Sequence, residues 1–294
     1  MVPMRVIEGL AEMRGACAEA RRGGARLGFV PTMGSLHAGH LRLVDVARER
    51  TTRVALSIFV NPLQFGPAED FARYPRDAAR DRSLAGSAGV DLLWMPAREA
   101  VYPEEPRITV APGPMALELE GATRPGHFAG VLTVVLKLFA VVQPDVAVFG
   151  RKDVQQAALV RRMVADFDLP VEVVVAPTVR EHDGLALSSR NAYLDAEGRG
   201  RAVLLSLALA AGVERFRHGE RRGTAVAAAA RAVLDGEPAI AVDYVACVEP
   251  GTFTPADRAT EACVLALAAR VGATRLIDNV VLGDGLEADV RLPG

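Results

Sequence analysis

Five short runs of apolar, largely β-branched residues constrain the fold of this 294-residue chain more than any other feature. Each run is continuously apolar rather than alternating, which is typical of strands buried on both faces of a parallel sheet. The segments between the runs are long enough for crossover helices. The pattern predicts an α/β fold with a Rossmann-like parallel sheet, whose strands lie near residues 26–30, 54–60, 90–95, 146–149 and 171–176.

Apolar periodicity and helix end signals predict the helices of the same region, at residues 4–22, 40–50, 75–86, 133–142 and 153–167. Residues 100–130 are rich in proline and glycine, which predicts a long loop that is either functional or disordered. The pattern changes after Pro177 to a loop, two alanine-rich helices and three strands near 240–248, 263–269 and 275–281. The predicted organisation is a Rossmann-like domain at 1–177 and a smaller C-terminal α+β domain at 178–294.

The bulk properties are those of an ordinary soluble globular protein, since half the residues are apolar and the formal net charge is -2. This balance favours neither nucleic acid nor an anionic membrane as a partner. The most apolar stretch, 131–142, contains Lys137 and is too short to span a membrane. The three cysteines lack metal-ligand spacing, so we expect reduced core residues of a cytoplasmic protein.

A histidine-bearing segment, P-T-M-G-S-L-H-A-G-H at 31–40, follows the first predicted strand and opens a helix. Such a turn presents backbone N–H groups and the positive end of a helix dipole, an arrangement suited to a triphosphate. His37 and His40 are three residues apart, so both rings point the same way if the turn is already helical. The alternative interpretation is a pair of polar histidines near a helix start.

Polar residues also follow two other predicted strands. Asn61 and Gln64 offer amide groups, which can bind a hydroxy acid without ionising. Gly150 precedes Lys152, one of only two lysines among 34 basic residues, so its retention hints at a function. Lys152 could neutralise phosphate, while Asp153 caps a helix or accepts from a ribose hydroxyl. Taken alone, the first segment could equally be a capped loop with a solvated glutamine. The alternative for the second segment is a surface charge cluster.

The predicted interdomain loop carries Ser188, Ser189 and Arg190. Two hydroxyls and a guanidinium can form a compact clamp for a polyphosphate. Alone this is a common loop sequence, and it gains weight only beside the other motifs.

The H-x-G-H motif resembles the motif of the nucleotidyltransferase superfamily that includes class I aminoacyl-tRNA synthetases. With R-P-G-H-F-A-G-V at 124–131 and the loop at 187–191, the motifs are similar in order and spacing to the pantothenate synthetase family. The similarity covers nearly the whole chain and is weakest after residue 200. It implies a homodimer that uses Mg·ATP to convert pantoate to pantoyl-adenylate and pyrophosphate, and then forms pantothenate and AMP with β-alanine.

The resemblance also implies residue roles. His40 would be the catalytic proton donor and His37 would lie beside it on the phosphates, with Lys152 and Arg190 completing the catalytic group. Gln64 and Gln156 would hold pantoate, and Gln64 also β-alanine. No side chain is assigned as a metal ligand. The implied ATP site comprises Met33, Gly34, Ser35, Leu36, His37, Ala38, Gly39, His40, Gly150, Arg151, Lys152, Asp153, Val179, Leu187, Ser188, Ser189 and Arg190.

Two positions depart from the family pattern. Leu187 stands where the family usually has methionine, and Ala140 stands where asparagine is common. Neither change removes a charge or a catalytic group, so we expect effects on packing more than on chemistry.

Two other functions stay open at this point. One is another H-x-G-H nucleotidyltransferase that transfers AMP to a phosphorylated acceptor, but Gln64 and Gln156 argue against it because such an acceptor calls for more cations. The other is an ATP-binding module without catalysis. The presence of both histidines, Lys152 and Arg190 argues against that interpretation.

Overall fold

The computed structural model describes residues 3–67 and 69–293, which form two compact units. The first unit comprises the described residues up to Ala116, together with Arg124–Gly150 and Leu159–Ala176. The second comprises Leu117–Thr123, Arg151–Ala158 and the chain from Pro177 onward. Two short segments that precede residue 177 therefore fold with the C-terminal residues.

A six-stranded parallel sheet is the centre of the first unit, and it confirms the predicted α/β class. All five predicted strands are present, and one short strand is added at the edge. The strands are β1 (Arg5–Ile7), β2 (Leu27–Thr32), β3 (Arg53–Ile58), β4 (Leu92–Trp94), β5 (Val146–Gly150) and β6 (Glu172–Ala176).

The strand order in this sheet is β1-β4-β3-β2-β5-β6. The order reverses between β2 and β5, which are hydrogen-bonded neighbours. In doubly wound sheets of this kind, ligands bind beyond the carboxyl ends of the strands that flank such a reversal. β2 ends at Thr32 and β5 ends at Gly150, so the histidine-bearing segment begins at the edge where a ligand is expected.

In the described part of the chain, seven helices connect or follow these strands: α1 (Leu10–Arg22), α2 (Ala38–Arg50), α3 (Ala78–Ser87), α4 (Arg98–Val101), α5 (Glu120–Thr123), α6 (His127–Val142) and α7 (Val154–Asp166). One face of the sheet packs on α2, where Val44 and Ala47 are fully buried in a cluster with Leu56 and Val148. Full burial of one such aliphatic side chain contributes about 1.5–3 kcal/mol. None of the helices in the described residues is long and apolar enough to cross a bilayer.

Two predicted helix starts are wrong. Residues 5–7 form the edge strand β1, paired with β4, and the helix begins only at Leu10. A three-residue edge strand exists because β4 lies beside it, and local sequence carries no record of that neighbour. Helix α6 begins at His127 rather than at 133, because Gly126 adopts a φ of 85° that turns the chain into the helix. The predicted loop at 100–130 therefore contains α5 and the first turn of α6.

The second unit has the predicted α+β composition. Besides α5, its helices are α8 (Ala196–Ala202), α9 (Leu204–Arg217) and α10 (Gly223–Asp235). Its strands are β7 (Val179–Arg180), β8 (Ile240–Val248), β9 (Val264–Val271), β10 (Thr274–Val281) and β11 (Val290–Arg291). Strands β8, β9 and β10 form an antiparallel sheet with β9 in the middle, and the two-residue strands β7 and β11 pair separately.

A buried ion cluster fixes the short strand β7. The Arg180 side chain is fully buried and donates to both oxygens of Asp278 at 2.6 and 2.9 Å, and to Asp289 at 2.7 Å. Burial raises the pKa of Asp289 although Arg180 opposes the shift. Removing one member of such a buried pair commonly costs about 3–5 kcal/mol, so this cluster ties β7 to β10.

Candidate active site

The histidine-bearing segment leaves β2 through a left-handed turn. Gly34 has a φ of 85° and Ser35 a φ of 50°, a conformation that non-glycine residues adopt only at a cost. A Cβ atom at Gly34 would lie 2.9 Å from Cγ2 of Ile58 and 3.0 Å from Oδ2 of Asp81. Glycine is therefore required at position 34 for both its φ and its lack of a side chain.

Asp81 of α3 holds this turn from inside the unit. Its carboxylate, 2% exposed, accepts from the N–H groups of Ser35 at 2.8 Å and Leu36 at 2.7 Å. The N–H of Gly34 donates to Oγ1 of Thr32. The expectation of free N–H groups is thus wrong for these three residues, because the protein satisfies them itself. An anion bound here would be contacted by groups other than these three N–H donors.

His37 and His40 form a stacked pair at the start of α2. Their ring centroids are 4.1 Å apart and the ring planes meet at 38°. His37 is the residue that caps the helix, so it is extended rather than helical, yet the rings still lie together. Nδ1 of His37 accepts from the N–H of Gly39 at 3.1 Å, and Nδ1 of His40 accepts from the N–H of His37 at 3.3 Å. These acceptor roles assign the proton of each neutral ring to Nε2, which is the donor atom a phosphate oxygen needs.

Gln64 lies in a short 3₁₀ turn, Pro62–Gln64, just after β3. Its side-chain oxygen accepts from Asn61 at 3.0 Å, and its amide nitrogen lies 3.2 Å from Sδ of Met33. Asn61 in turn accepts from the Tyr102 hydroxyl at 3.0 Å, and burial raises the pKa of Tyr102, so this hydroxyl stays protonated. The Gln64 amide is fixed in orientation, and among the described residues its Nε2 donates one hydrogen bond, to Met33, of the two that an amide nitrogen can make.

The motif at 124–131 supports this turn from α6. Nδ1 of His127 lies 2.9 Å from the Gln64 carbonyl oxygen and donates to it, while Arg124 contacts Nε2 of the same ring at 3.0 Å. Arg124 also binds Glu69 through two hydrogen bonds of 2.8 and 2.7 Å. Burial opposes the charge on Glu69, but the Arg124 hydrogen bond and charge prevail and lower its pKa.

Gly130 lets α6 approach the same turn closely. A Cβ atom at this position would lie 2.2 Å from the Leu63 carbonyl oxygen, which is backbone and cannot move aside. The Gly130 carbonyl accepts from Asn61 at 3.1 Å. The glycine thus places the helix where it can hold the Gln64 turn.

Lys152 of the second unit lies in the 3₁₀ turn Arg151–Asp153, directly before α7. Asn279 of β10 donates to the carbonyl oxygens of Arg151 at 3.0 Å and Lys152 at 2.8 Å. Arg151 pairs with Asp284 at 2.9 Å. The turn that carries the predicted phosphate-binding lysine is therefore anchored through its backbone.

The two adjacent glutamines at the start of α7 have different surroundings. Gln155 is buried and binds α5, since its oxygen accepts from the N–H of Glu120 at 3.2 Å and its amide donates to the Glu118 carbonyl at 2.9 Å. Gln156 is half-buried. Glu120 accepts two hydrogen bonds from Arg275, at 2.8 and 2.6 Å, which tie α5 to β10. Gln155 is thus a structural residue, which leaves Gln156 as the candidate ligand.

The loop with the two serines is a capped 3₁₀ turn. Oγ of Ser188 accepts from the N–H of Arg190 at 3.2 Å, and the turn spans Ser189–Tyr193. The N–H of Leu187 donates to the Val179 carbonyl at 2.9 Å, so two residues of the predicted nucleotide site are neighbours. Asn191 ties the turn to the Ala186 carbonyl at 3.1 Å.

The predicted site residues fall into one group in each unit. The first unit contains Met33–His40, Gln64 and Gly150, and the second contains Arg151–Asp153, Gln156, Val179 and Leu187–Arg190. Sequence reasoning gave no role to three supporting residues, Asp81, His127 and Asn279. The motif around His127 was a usable signal. Asp81 had none, because a carboxylate on an arginine-rich helix is typical of a solvated surface.

The fold and the histidine pair are typical of an α/β enzyme that binds its ligand at the carboxyl edge of the sheet. The chain matches the family model described as pantoate-beta-alanine ligase over residues 5–281. It is 53% identical over 280 residues to pantothenate synthetase 1 of Bradyrhizobium diazoefficiens, covering 95% of this chain and 98% of that protein. The chain belongs to the pantoate-beta-alanine ligase family.

Solved structures agree with this assignment. Pantothenate synthetase from Thermus thermophilus is 48% identical, with a TM-score of 0.90 over 95% of this chain and 99% of that chain. Pantoate-beta-alanine ligase from Francisella tularensis, solved as a complex with beta-gamma ATP and beta-alanine, is 30% identical, with a TM-score of 0.78 over 96% of this chain and 99% of that chain.

Proposed function

We propose that this chain is an ATP-dependent ligase that condenses pantoate with β-alanine through a pantoyl-adenylate, in the biosynthesis of pantothenate and coenzyme A. One observation carries the proposal: the stacked His37–His40 pair follows β2 at the strand-order reversal, in a chain that matches the ligase family over residues 5–281. The match covers nearly the whole chain, so another H-x-G-H nucleotidyltransferase and a non-catalytic module are both disfavoured.

The reaction has two displacement steps. A carboxylate oxygen of pantoate attacks the α-phosphorus of ATP, and the bond to the bridging oxygen breaks to release pyrophosphate. The amine of β-alanine then attacks the acyl carbon, AMP leaves with the oxygen that bridged the acyl carbon and the phosphorus, and the nitrogen loses a proton. Activation comes first because AMP is a far better leaving group than an oxide ion.

Four side chains are proposed to act on the phosphates. Negative charge grows on the phosphate oxygens during the first step, and fixed donors stabilise it without reorganising. His40 is the proposed proton donor, with its Nε2–H hydrogen-bonded to the phosphate oxygen on which charge grows, and His37 positions the phosphates beside it. Lys152 neutralises the departing pyrophosphate as a point charge. Arg190 does so through the planar set of N–H donors of its guanidinium. The remaining residues of the implied ATP site, named above, complete the contacts.

Gln64 and Gln156 are proposed to hold pantoate, with Gln64 also contacting β-alanine. The proposal for Gln64 is supported by its fixed amide, whose oxygen and nitrogen are oriented by Asn61 and Met33. An amide binds hydroxyl and carboxylate groups without changing its own charge, so the same side chain suits both small substrates.

Mg²⁺ is proposed to enter with ATP. Among the described residues, no group of three or more His, Cys, Asp or Glu side chains is arranged to hold a metal ion. Mg²⁺ in nucleotide sites is commonly bound by one or two carboxylates together with phosphate oxygens. We propose that the triphosphate and water supply most of the metal ligands, where Mg²⁺ would neutralise phosphate charge.

Two broader properties are proposed from the family resemblance, namely a homodimer and a cytoplasmic location. Sedimentation velocity of the purified chain tests the first, with a single species of twice the 31.2 kDa chain mass as the expected result.

Pantoate-dependent exchange of labelled pyrophosphate into ATP tests the two-step scheme. Exchange should require pantoate and proceed without β-alanine. If β-alanine proved obligatory, the separate adenylation step would be wrong. Exchange driven by a phosphorylated acceptor instead of pantoate would favour the other nucleotidyltransferases, and no exchange with any acid would favour a binding module.

A further inference from the structure

Asn279 is a buried asparagine in the middle of β10 that uses both hydrogens of its amide on one short turn. The residue is 2% exposed, and its Nδ2 donates to the carbonyl oxygens of Arg151 at 3.0 Å and Lys152 at 2.8 Å. The two carbonyls are consecutive. One amide nitrogen with two hydrogens can bind both carbonyls at once. An aspartate of the same length has no such donor, and a serine has only one.

The oxygen end of the Asn279 amide contrasts with its donor end. Within the described residues, its Oδ1 is buried and without a hydrogen bond. A buried polar atom without a partner lowers the stability of the folded state. A leucine of similar size would avoid this cost, but it would leave the two carbonyl oxygens of the turn without these donors. The donor end is what the fold retains.

The strand that carries Asn279 is rigidly held. Asn279 is paired with Ala266 in the antiparallel sheet. Its own N–H donates to Asp278 at 2.8 Å, and Asp278 is the buried partner of Arg180. The amide therefore acts from a fixed point, and the position of the Arg151–Asp153 turn is set by β10.

We infer that Asn279 is a positioning residue for Lys152, acting through the backbone of the turn. A lysine carries a point charge on a flexible four-carbon chain, so the position of its backbone decides where the ammonium can reach. A misplacement of about 1 Å can cost about 10²-fold in rate. The inference rests on the proposed role of Lys152 in adenylation, and it gives the C-terminal sheet a part in the first step of the reaction.

A double-mutant cycle tests the inference, with single-turnover formation of pantoyl-adenylate as the readout. Asn279→Leu removes both donors and keeps the volume. It should slow adenylation by about ten- to a hundredfold, with the loss in the rate constant rather than in the KM for ATP. Lys152→Ala should slow it by about 10²–10³-fold. The double variant should be no slower than Lys152→Ala alone, because Asn279 acts only through that lysine.

Leu276→Ala is the matched control, since Leu276 lies on the same strand, is 4% exposed and belongs to the hydrophobic core. It should lower the melting temperature and leave the adenylation rate unchanged. If Asn279→Leu does not fold, Asn279→Ser, which keeps one hydroxyl donor, takes its place in the cycle with a smaller expected loss.

Three results would overturn the inference. If Lys152→Ala is slow but Asn279→Leu, or Asn279→Ser in its place, has a wild-type rate, the positioning role of Asn279 is refuted and the proposed role of Lys152 stands. Equal losses from the Asn279 substitution with and without Lys152 would show a general structural role. A wild-type rate for Lys152→Ala would instead refute the proposed role of the lysine, and with it the inference.

Discussion

The side chains of His37 and His40 take part in the local fold as well as in the proposed chemistry. Each ring uses Nδ1 on a backbone N–H at the start of α2, so the two histidines together form a capping box. A lost cap commonly costs about 0.5–2 kcal/mol. Substitution by alanine therefore mixes two effects, and a useful variant must keep the cap while it removes the ring.

We expect His40→Ala to slow formation of pantoyl-adenylate by about 10²–10⁴-fold with near-normal ATP affinity, because a proton donor acts mainly in the transition state. His37→Ala should weaken both the rate and ATP affinity, as a positioning contact does. Single-turnover assays with ATP titration measure both quantities.

Matched variants separate capping from catalysis. His40→Gln keeps the acceptor that a capping box needs at this position, and His37→Asn keeps a good N-cap residue. Both should recover the melting temperature lost in the alanine variants without recovering the rate. A wild-type rate for His40→Gln would reduce the motif to a helix cap.

At the scale of elements, the contact of α6 with the Pro62–Gln64 turn decides how Gln64 is presented. Helix α6 contributes His127, Arg124 precedes it, and both contact the Gln64 carbonyl. This contact depends on the missing side chain at Gly130, since the Leu63 carbonyl oxygen occupies the space of a Cβ atom.

Gly130→Ala should destabilise the protein and raise the KM values for pantoate and β-alanine, because the helix and the Gln64 turn must move apart. Gly15→Ala is the control, since Gly15 lies in α1 and a Cβ atom added there would meet nothing within 4 Å. That change should stabilise by about 0.5–1 kcal/mol. Thermal unfolding and steady-state kinetics check both variants, and equal melting temperatures for the two would contradict the packing argument.

The Arg124–Glu69 pair gives this region a defined acid dependence. The Glu69 pKa is lower in the folded protein than its ordinary value, because the Arg124 interaction outweighs burial. A lowered folded pKa means that the pair stabilises above the unfolded pKa of about 4.3, and that this contribution is lost as pH falls through the folded pKa. Glu69→Gln should therefore be less stable than wild type at pH 7.

The difference between Glu69→Gln and wild type should shrink as pH falls below about 4.3. Unfolding by denaturant at a series of pH values measures this difference. Glu104→Gln serves as the control, because its pair with Arg107 is exposed, at 79% and 89%, and should contribute little. A difference that stays constant with pH would contradict the assigned charge on Glu69.

At the scale of the whole molecule, each compact unit has its own core, and each core contains at least one buried cysteine. Cys17 lies in the first unit, and Cys247 and Cys263 lie in the second; all three are buried. Burial raises the pKa of Cys17 to about 11 and that of Cys247 to about 12. Since the thiolate is the reactive form, Cys17 and Cys247 should be inert in the native state. Burial keeps Cys263 from the reagent.

Ellman's reagent at pH 8 should therefore react negligibly with the native protein and with three thiols per chain in denaturant. Stopped-flow and endpoint absorbance give the rate and the count. Rapid reaction of the native protein would show that a core opens locally rather than with its unit.

The path of the chain through the two units shows why some features could be predicted and others could not. The runs near β2, β3 and β5 are continuously apolar because both faces of these strands are buried, so the strands are predictable from composition. Strand β1 lacks such an apolar run, because it forms only through its pairing with β4.

The sequence by itself determined the parallel α/β class, the α+β character of the C-terminal residues and the position of the histidine-bearing segment after the first predicted strand. These features depend on local composition and on order along the chain. Only the tertiary structure decided that Asp81 occupies two N–H groups of the turn, that α6 fixes Gln64, and that Asn279 anchors the Lys152 turn. The physical reason is that a hydrogen bond between residues 46, 63 or 127 positions apart leaves no periodicity in either segment, so only the folded chain shows which polar groups meet.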